Sequence, residues 1–480
     1  MRLGAVLRVV GALLIVVSTF MLWPLLWSIL YRQPDRDAFI GSIVIGYASG
    51  YALMLYPQEE VELRSREAFA VVVLGWFFSA LLGALPFHFC GYSLTDAFFE
   101  SMSGFTTTGA SIMADIESNP RGLLFWRSLT HWLGGMGIIV LSLAILPFLG
   151  AGGMELYKAE VPGPVAEKLT PRIRQTAMLL WGVYAILSAA ECLLLWLGGM
   201  NLYEALTHTF GTMATGGFSP LNKSIGQYGS AYFDWVITLF MFLAGCNFTL
   251  HYRALFQRDF GSYLRDHEFR FFLGVVVFGS LSVAISLLVH HLYSSPLEAI
   301  RYSTFQVVSI LTTTGYVTAD FEGWPDYAQA LLLLLMFVGG CAGSTGGGIK
   351  GIRILLLAKR AHLELQKLLH PKAVMSTRLG RSVVEERIVN AVMVFFFLYL
   401  LVFSLATLAM AALGMDLLSS IASVAATLNN IGPGLGSVGP MDNYAHVPAL
   451  GKWILSSCML MGRLELYACL VLLLPSTWEK

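Results

Sequence analysis

Four short stretches carry the residues that could do chemistry in this chain. They are Thr106-Thr107-Thr108-Gly109, Ala214-Thr215-Gly216-Gly217, Thr312-Thr313-Thr314-Gly315 and Asn429-Asn430-Ile431-Gly432. Each sets oxygen-bearing groups just before a glycine, and Gly109, Gly216, Gly315 and Gly432 fall 107, 99 and 117 residues apart. Threonine hydroxyls and backbone carbonyls are ligands for a bare monovalent cation, which is prohibitively costly inside a membrane unless its water is replaced. Glycine permits the backbone angles that turn carbonyls toward one point. Two loops fit this pattern closely, at Thr107, Thr108 and Gly109 and at Thr313, Thr314 and Gly315. The second offers Thr215 and Gly216. The fourth diverges, with Asn430 and Ile431 before Gly432, and lacks the hydroxyl. Four such loops at near-equal spacing predict a pore with four-fold pseudosymmetry.

The elements that must position these loops are apolar. Of the 480 residues, 56% are hydrophobic and 12% charged, about half the charge of an ordinary soluble domain. The class is therefore an all-α integral membrane protein. Net charge is zero, so no basic field points to nucleic acid. Six scattered cysteines form neither a disulfide framework nor a zinc pattern. The apolar run from Val9 to Leu30 is too long for a cleaved signal and reads as a first membrane helix. At about 20 apolar residues per crossing we expect ten spans. Two precede any loop, at 8–31 and 38–56. Eight form four pairs: 67–89 with 123–149, 174–199 with 231–255, 270–293 with 327–368, and 387–413 with 448–474. The expected units are 1–62, then four helix–loop–helix repeats at 63–160, 161–262, 263–378 and 379–480.

Inside each pair lies a segment too short to span. Each opens on a polar residue or proline near an acid: Ser93 and Asp96, Asn201 and Glu204, Pro296 and Glu298, and Asp416. These are helix-start signals. The short helices then run into the loops, so their negative ends aim at the membrane centre, where they favour a cation. Ordinary connecting loops would not repeat this order four times. With the N-terminus inside, 22 of the 30 Lys and Arg fall on the cytoplasmic side, nine of them within 350–387. That places both termini in the cytoplasm and the loops facing out.

Two anomalies interrupt the apolar pattern. Six glycines lie between Gly339 and Gly348 (Gly339, Gly340, Gly343, Gly346, Gly347, Gly348), around Ser344 and Thr345. They mark a hinged or non-helical insert near mid-membrane, or a tight helix-packing surface. Arg463 lies deep in the last span, at a cost of about 3 kcal/mol. It should face a cavity or a partner, the local choices being Glu465 or helix carbonyls. Glu191 stands within an apolar span as a pairing or coupling residue. His131, His208 and His251 read as packing or interfacial groups. Gly346-Gly347-Gly348-Ile349-Lys350-Gly351 and the run from Gly434 to Gly439 match a dinucleotide fingerprint formally, but neither follows a strand. No Walker motif is present, and no nucleophile–base pair supports an enzyme.

The four loops, ending in Asn429-Asn430-Ile431-Gly432-Pro433-Gly434, together with Gly339 to Lys350, resemble the Trk/Ktr/HKT superfamily of potassium uptake proteins. Length and the two extra N-terminal helices place the likeness on the TrkH/TrkG branch. The resemblance covers essentially the whole chain. It implies four tandem helix–pore-loop–helix units around one pore in a bacterial inner membrane. It implies Gly109, Gly216, Gly315 and Gly432 as filter glycines, whose full retention favours potassium over sodium. It also implies a mobile intramembrane gate at the glycine-rich insert with Arg463 beside it, a homodimer, and a cytoplasmic nucleotide-binding regulatory subunit of the TrkA type that the 350–387 stretch would engage. Channel-like permeation and symport with protons or sodium both remain open.

Overall fold

The computed structural model describes residues 3–56, 65–145, 170–373, 375–380 and 382–478. The basic stretches at 57–66 and 151–174, which bear on orientation, lie largely outside them, as do Arg2, Arg381 and Lys480.

Leu3–Phe20 and Leu22–Leu30 run on as one 28-residue apolar stretch, and Arg36–Met54 packs against it. The crossing is tight because glycines meet: a Cβ on Gly11 would lie 2.6 Å from Gly50 O, and one on Gly50 2.8 Å from Gly11 O. Small residues let membrane helices approach this closely. Asp35, just before the second helix, ties this pair to the rest of the chain. Its carboxylate accepts from Ser28 Oγ at 2.5 Å and from the Leu123 amide at 2.8 Å.

Four repeats follow. Their leading helices are Ser65–Phe89, Thr170–Leu197, His267–Val289 and Glu386–Ala412. Each turns into a short helix: Leu94–Phe105, Leu202–Met213, Pro296–Leu311 and Leu417–Leu428. The start signals are local chemistry. Ser93, Asn201 and Asp416 accept from the amides of Asp96, Glu204 and Ser419, and Pro296 occupies the first turn of the third. The short helices are buried along their C-terminal halves, Ser101 to Phe105 and Ala422 to Leu428 for instance, while Phe278 and Leu408 on the leading helices are exposed. An apolar exterior around a polar-lined interior suits a lipid solvent.

Six helices, or seven counting a bent pair, are long and apolar enough to cross a membrane among the described residues. Ten spans were expected, and most of the difference arises in the trailing helices. Arg121–Ile145 is continuous. The second breaks between Ala231–Ala244 and Phe248–Gln257 with a 101° bend. There Gly245 ends one helix, and Asn247 starts the next by accepting from the Thr249 amide at 2.9 Å. The third divides into Asp326–Leu335 and Gly351–Leu369 around the glycine-rich segment. The fourth is interrupted after Ala449–Arg463, where Glu465 and Leu466 take positive φ, and resumes at Tyr467–Leu472. The basic stretch from Lys350 is helical only to Leu369. It ends in a two-residue antiparallel pairing of Arg378–Leu379 with Ser382–Val383.

Candidate functional site

The four loops share one hydrogen-bond register. The amides of Thr108, Gly216, Thr314 and Ile431 each bond back five residues, to the carbonyls of Ser103, Gly211, Ser309 and Ala426, all at 2.8 Å. The residue before each is left-handed: Thr107 at φ 53°, Thr215 at 53°, Thr313 at 62° and Asn430 at 56°. A β-branched residue pays roughly 1–2 kcal/mol for that conformation, so the surrounding packing must hold it. The residue after each is a glycine of positive φ: Gly109 (83°), Gly217 (79°), Gly315 (78°) and Gly432 (100°). This corrects the sequence reading of the second loop. Gly217 occupies the glycine position, and Gly216 occupies the middle position that Thr108, Thr314 and Ile431 hold elsewhere.

The loops close a ring. A Cβ on Gly109 would run into Gly216 O, one on Gly217 into Thr314 O, and one on Gly315 into Ile431 O. A Cβ on Gly432 would lie 2.7 Å from Thr108 O. Each glycine thus abuts the middle carbonyl of the next loop, in order around the ring. Side chains therefore divide into two sets. The middle hydroxyls turn into the wall, Thr108 Oγ1 meeting Thr106 Oγ1 at 2.8 Å and Thr314 Oγ1 meeting Thr312 Oγ1 at 2.8 Å. The left-handed positions differ among themselves: Thr107 Oγ1 and Asn430 Oδ1 are buried with no partner among the described residues, whereas Thr215 Oγ1 donates to Ala214 O at 2.6 Å and Thr313 Oγ1 accepts from the Gly347 amide. In the divergent fourth loop Asn430 Nδ2 donates to Thr108 Oγ1 at 3.0 Å and to Met459 O at 2.9 Å, so a carboxamide takes over the missing threonine's place.

Behind the ring, polar groups pin the loops. Glu100 accepts from Arg127 Nε at 2.5 Å, from Ser111 Oγ at 2.9 Å and from the Ile112 amide at 2.9 Å. Arg127 also donates to Ser219 O at 2.9 Å, joining the first and second loops. Tyr316 OH donates to His208 O at 2.9 Å and Phe218 O at 3.2 Å, joining the second and third. Tyr444 OH donates to Gly432 O at 2.7 Å. Glu100, Arg127, Tyr316 and Tyr444 escaped sequence reasoning. A charge within a short helix (Glu100) and one in a neighbouring span (Arg127) were the available signal.

The glycine-rich segment lies directly against the loops. The Gly347 amide donates to Thr313 Oγ1 at 2.7 Å, and a Cβ on Gly346 would lie 3.0 Å from Thr312 O. Its glycines serve two purposes. Gly339, Gly343 and Gly348 have φ of 73°, 74° and 73°, whereas Gly340, Gly346 and Gly347 lack a Cβ where neighbouring backbone crowds in. Hinged insert and close packing surface are thus both present. The segment also fills the bend of the second repeat. Cys341 N donates to Gly245 O at 2.9 Å, Thr345 N to Ala244 O at 3.3 Å, and Phe248 N to Gly343 O at 3.0 Å. Thr345 Oγ1 adds a bond to Met213 O at 3.0 Å, and Ser344 Oγ bonds within the segment to Cys341 O at 2.6 Å. Two broken helices supply each other's missing backbone partners, as irregular backbone at this depth requires.

Arg463, 3% exposed, donates to Thr345 O at 2.7 Å and to Gly134 O at 3.3 Å. Glu465 is not its partner and instead pairs with Arg353 at 2.5 Å. The base of the segment is closed by Glu268, whose Oε1 accepts from Ala342 N at 2.9 Å, within the insert, and from Ile352 N at 2.8 Å, just beyond it. Lys350 Nζ donates to Gly346 O. Both carboxylate oxygens of Glu191 are buried with no hydrogen-bond partner among the described residues. His208 and His251 are bonded, to Ser219 Oγ and Glu204 O and to Tyr263 OH and Leu243 O respectively.

Comparison with known proteins gives one consistent answer. Residues 35–479 match the family described as TrkH, cation transport protein. The chain is 46% identical over 486 residues to the Trk system potassium uptake protein TrkH of Escherichia coli, covering all of both chains, and 36% identical to Escherichia coli TrkG over 475 residues. Its structure matches the crystal structure of the potassium transporter TrkH from Vibrio parahaemolyticus with a TM-score of 0.92 at 41% identity, again over the full length of both. A ring of four loops in one chain, a glycine-rich break beneath it and these likenesses agree: the chain belongs to the TrkH family of cation transport proteins.

Proposed function

We propose that the chain carries potassium into the cell across a bacterial inner membrane, both termini in the cytoplasm, by channel-like passage through the four-loop ring. The observation that carries this reading is the closed circuit of glycines and middle carbonyls. Thr107, Thr108, Gly109, Thr215, Gly216, Gly217, Thr313, Thr314, Gly315, Asn430, Ile431 and Gly432 form the selectivity filter. Their oxygens replace the water that the ion sheds, and the C-termini of the four short helices lower its energy in the centre. The segment from Gly339 to Gly348 is the gate. Arg463 holds its tip and adds a positive charge that an ion must pass. The printed names of the relatives, potassium uptake proteins of a Trk system, support the substrate and the membrane setting. The chain is a transporter rather than an enzyme on this reading. It works as a homodimer with a cytoplasmic nucleotide-binding subunit of the TrkA type, reached through 350–387.

Rubidium flux into liposomes, with potassium or sodium as competitor, tests the filter. Gly315→Ser places a Cβ against Ile431 O and is expected to erode the preference for potassium. Equal competition by sodium in the parent, with no change in the variant, overturns the assignment. A second reading, symport with protons, rests on Glu191, a buried carboxylate in the leading helix of the second repeat with no hydrogen-bond partner among the described residues. It requires that an imposed proton gradient drive rubidium uphill and that Glu191→Gln abolish this.

A further inference from the structure

The second loop differs from the other three at its middle position. Thr108, Thr314 and Ile431 carry side chains there, and Gly216 carries none. The space is nevertheless filled. A Cβ on Gly216 would stand 2.5 Å from Cγ and Nδ1 of His131 and 2.7 Å from its Cδ2, so the imidazole lies across the glycine. His131 comes from the trailing helix of the first repeat and is fully buried. Its Nδ1 lies 2.9 Å from Gly104 O, and since a carbonyl only accepts, the proton sits on Nδ1. The ring centre is 4.1 Å from that of Phe218, over which the Arg127 guanidinium lies at 3.5 Å. The imidazole is thereby fixed by a hydrogen bond in the first repeat and by packing against the second.

Gly216 stands between left-handed Thr215 and Gly217, so the loop contains two adjacent glycines with no side chain of their own to fix the peptide planes. In the first and third loops the corresponding job falls to a threonine anchored by a hydroxyl bond to its neighbour two residues back. We propose that His131 is a specificity-determining residue. It supplies to the second loop, from another repeat, the wall that Thr108 and Thr314 supply to their own. In doing so it holds the Gly216 carbonyl in its place against Gly109. This deepens the reading of the loops as an ion filter and rests on it. Discrimination between potassium and sodium follows from the size of the cage and the number of oxygens facing the ion, and a close-packed neighbour is what keeps a glycine carbonyl among them.

The test uses the full chain in liposomes, with rubidium flux against potassium or sodium. His131→Ala is expected to lower the preference for potassium roughly tenfold, equivalent to about 1.4 kcal/mol. Gly216→Thr alone, with the ring still in place, is expected to lose flux or fail to assemble. The double variant His131→Ala/Gly216→Thr puts a threonine where the other loops have one and is expected to recover most of the preference. Retained preference in His131→Ala overturns the proposal, as does a double variant no better than His131→Ala, including one that also fails to assemble. An unassembled His131→Ala rescued by the double variant, with preference for potassium, upholds it. Gly315→Ser run alongside separates the two ideas. If it erodes the preference and His131→Ala does not, the role of His131 fails alone. If neither changes it, the filter reading fails with it.

Discussion

The Gly347 amide donates to the Thr313 hydroxyl at 2.7 Å, so the glycine-rich segment is hydrogen-bonded to the third loop itself. On the proposed assignment, the segment read as the gate touches the loop read as the filter, through this bond and the close approach of Gly346 to Thr312 O. Thr313→Val removes the acceptor at nearly constant volume. A bond of this kind contributes about 0.5–1.5 kcal/mol, so basal rubidium flux is expected to rise by a factor between about 2 and about 13. Single-variant flux assays without the regulatory subunit check this. An unchanged basal flux would mean that the bond does not help to close the path.

Arg463 and Thr345 give a second, separable prediction. Arg463→Met removes the bond to Thr345 O and the charge while keeping the length of the side chain. Basal flux is expected to increase, with the ratio of potassium to sodium competition unchanged, because no filter oxygen is touched. A loss of selectivity in Arg463→Met would place the arginine in the filter rather than at the gate.

Glu268 closes the base of the segment by accepting two amides on one oxygen. Glu268→Ala leaves the buried Ile352 amide and the half-buried Ala342 amide without that acceptor, at a cost of about 1–3 kcal/mol, and is expected to raise basal flux. Glu268→Gln keeps a carbonyl oxygen in reach and is expected to stay near the parent. Equal behaviour of the two variants would mean that the charge, not the clamp, is what the residue contributes.

The buried pair of Glu100 and Arg127 holds the first two loops together. Breaking a buried pair by removing one partner is strongly destabilising, by about 3–5 kcal/mol. Thermal unfolding in detergent is expected to show a large drop in Tm for Glu100→Gln. The double variant Glu100→Gln/Arg127→Met is expected to lose less than the sum of the single losses. Additive losses would mean that each residue stabilises its loop independently.

The basic helix after the glycine-rich segment offers a test of the proposed regulatory partner. Lys359 Nζ donates to Arg378 O, Arg360 pairs with Glu364 and Glu386, and Lys367 pairs with Glu364. Replacing all three with glutamine is expected to weaken capture of the nucleotide-binding subunit, or the response of flux to nucleotide. Flux controlled as in the parent would exclude this surface as the coupling element.

The sequence made the repeated units visible because their signals are local. Ser93, Asn201 and Asp416 start short helices by accepting from the amides three residues ahead, and such caps are readable in any chain. What escaped was register and distance. Between two adjacent glycines, the backbone bond from Gly216 N to Gly211 O, the positive φ of Gly217 and its approach to Thr314 O show that Gly217 holds the glycine position. The bend at Gly245 was hidden because hydropathy runs through it without a gap. Its cause, backbone bonds to Cys341 and Thr345, lies about a hundred residues away in sequence. Arg463 invited a partner within its own helix, but Glu465 is turned away by the positive φ of residues 465 and 466 and meets Arg353.

The ring of loops is drawn from a single polypeptide. In a pore assembled from four identical subunits, every substitution is written four times, and a change tolerable once becomes intolerable when multiplied. Here each quarter is encoded separately. Asn430 could replace a threonine, and Gly216 with His131 could replace a side chain, while the other quarters stayed as they were. On the proposed reading, such a ring can drift by quarter steps, its oxygens adjusted one loop at a time.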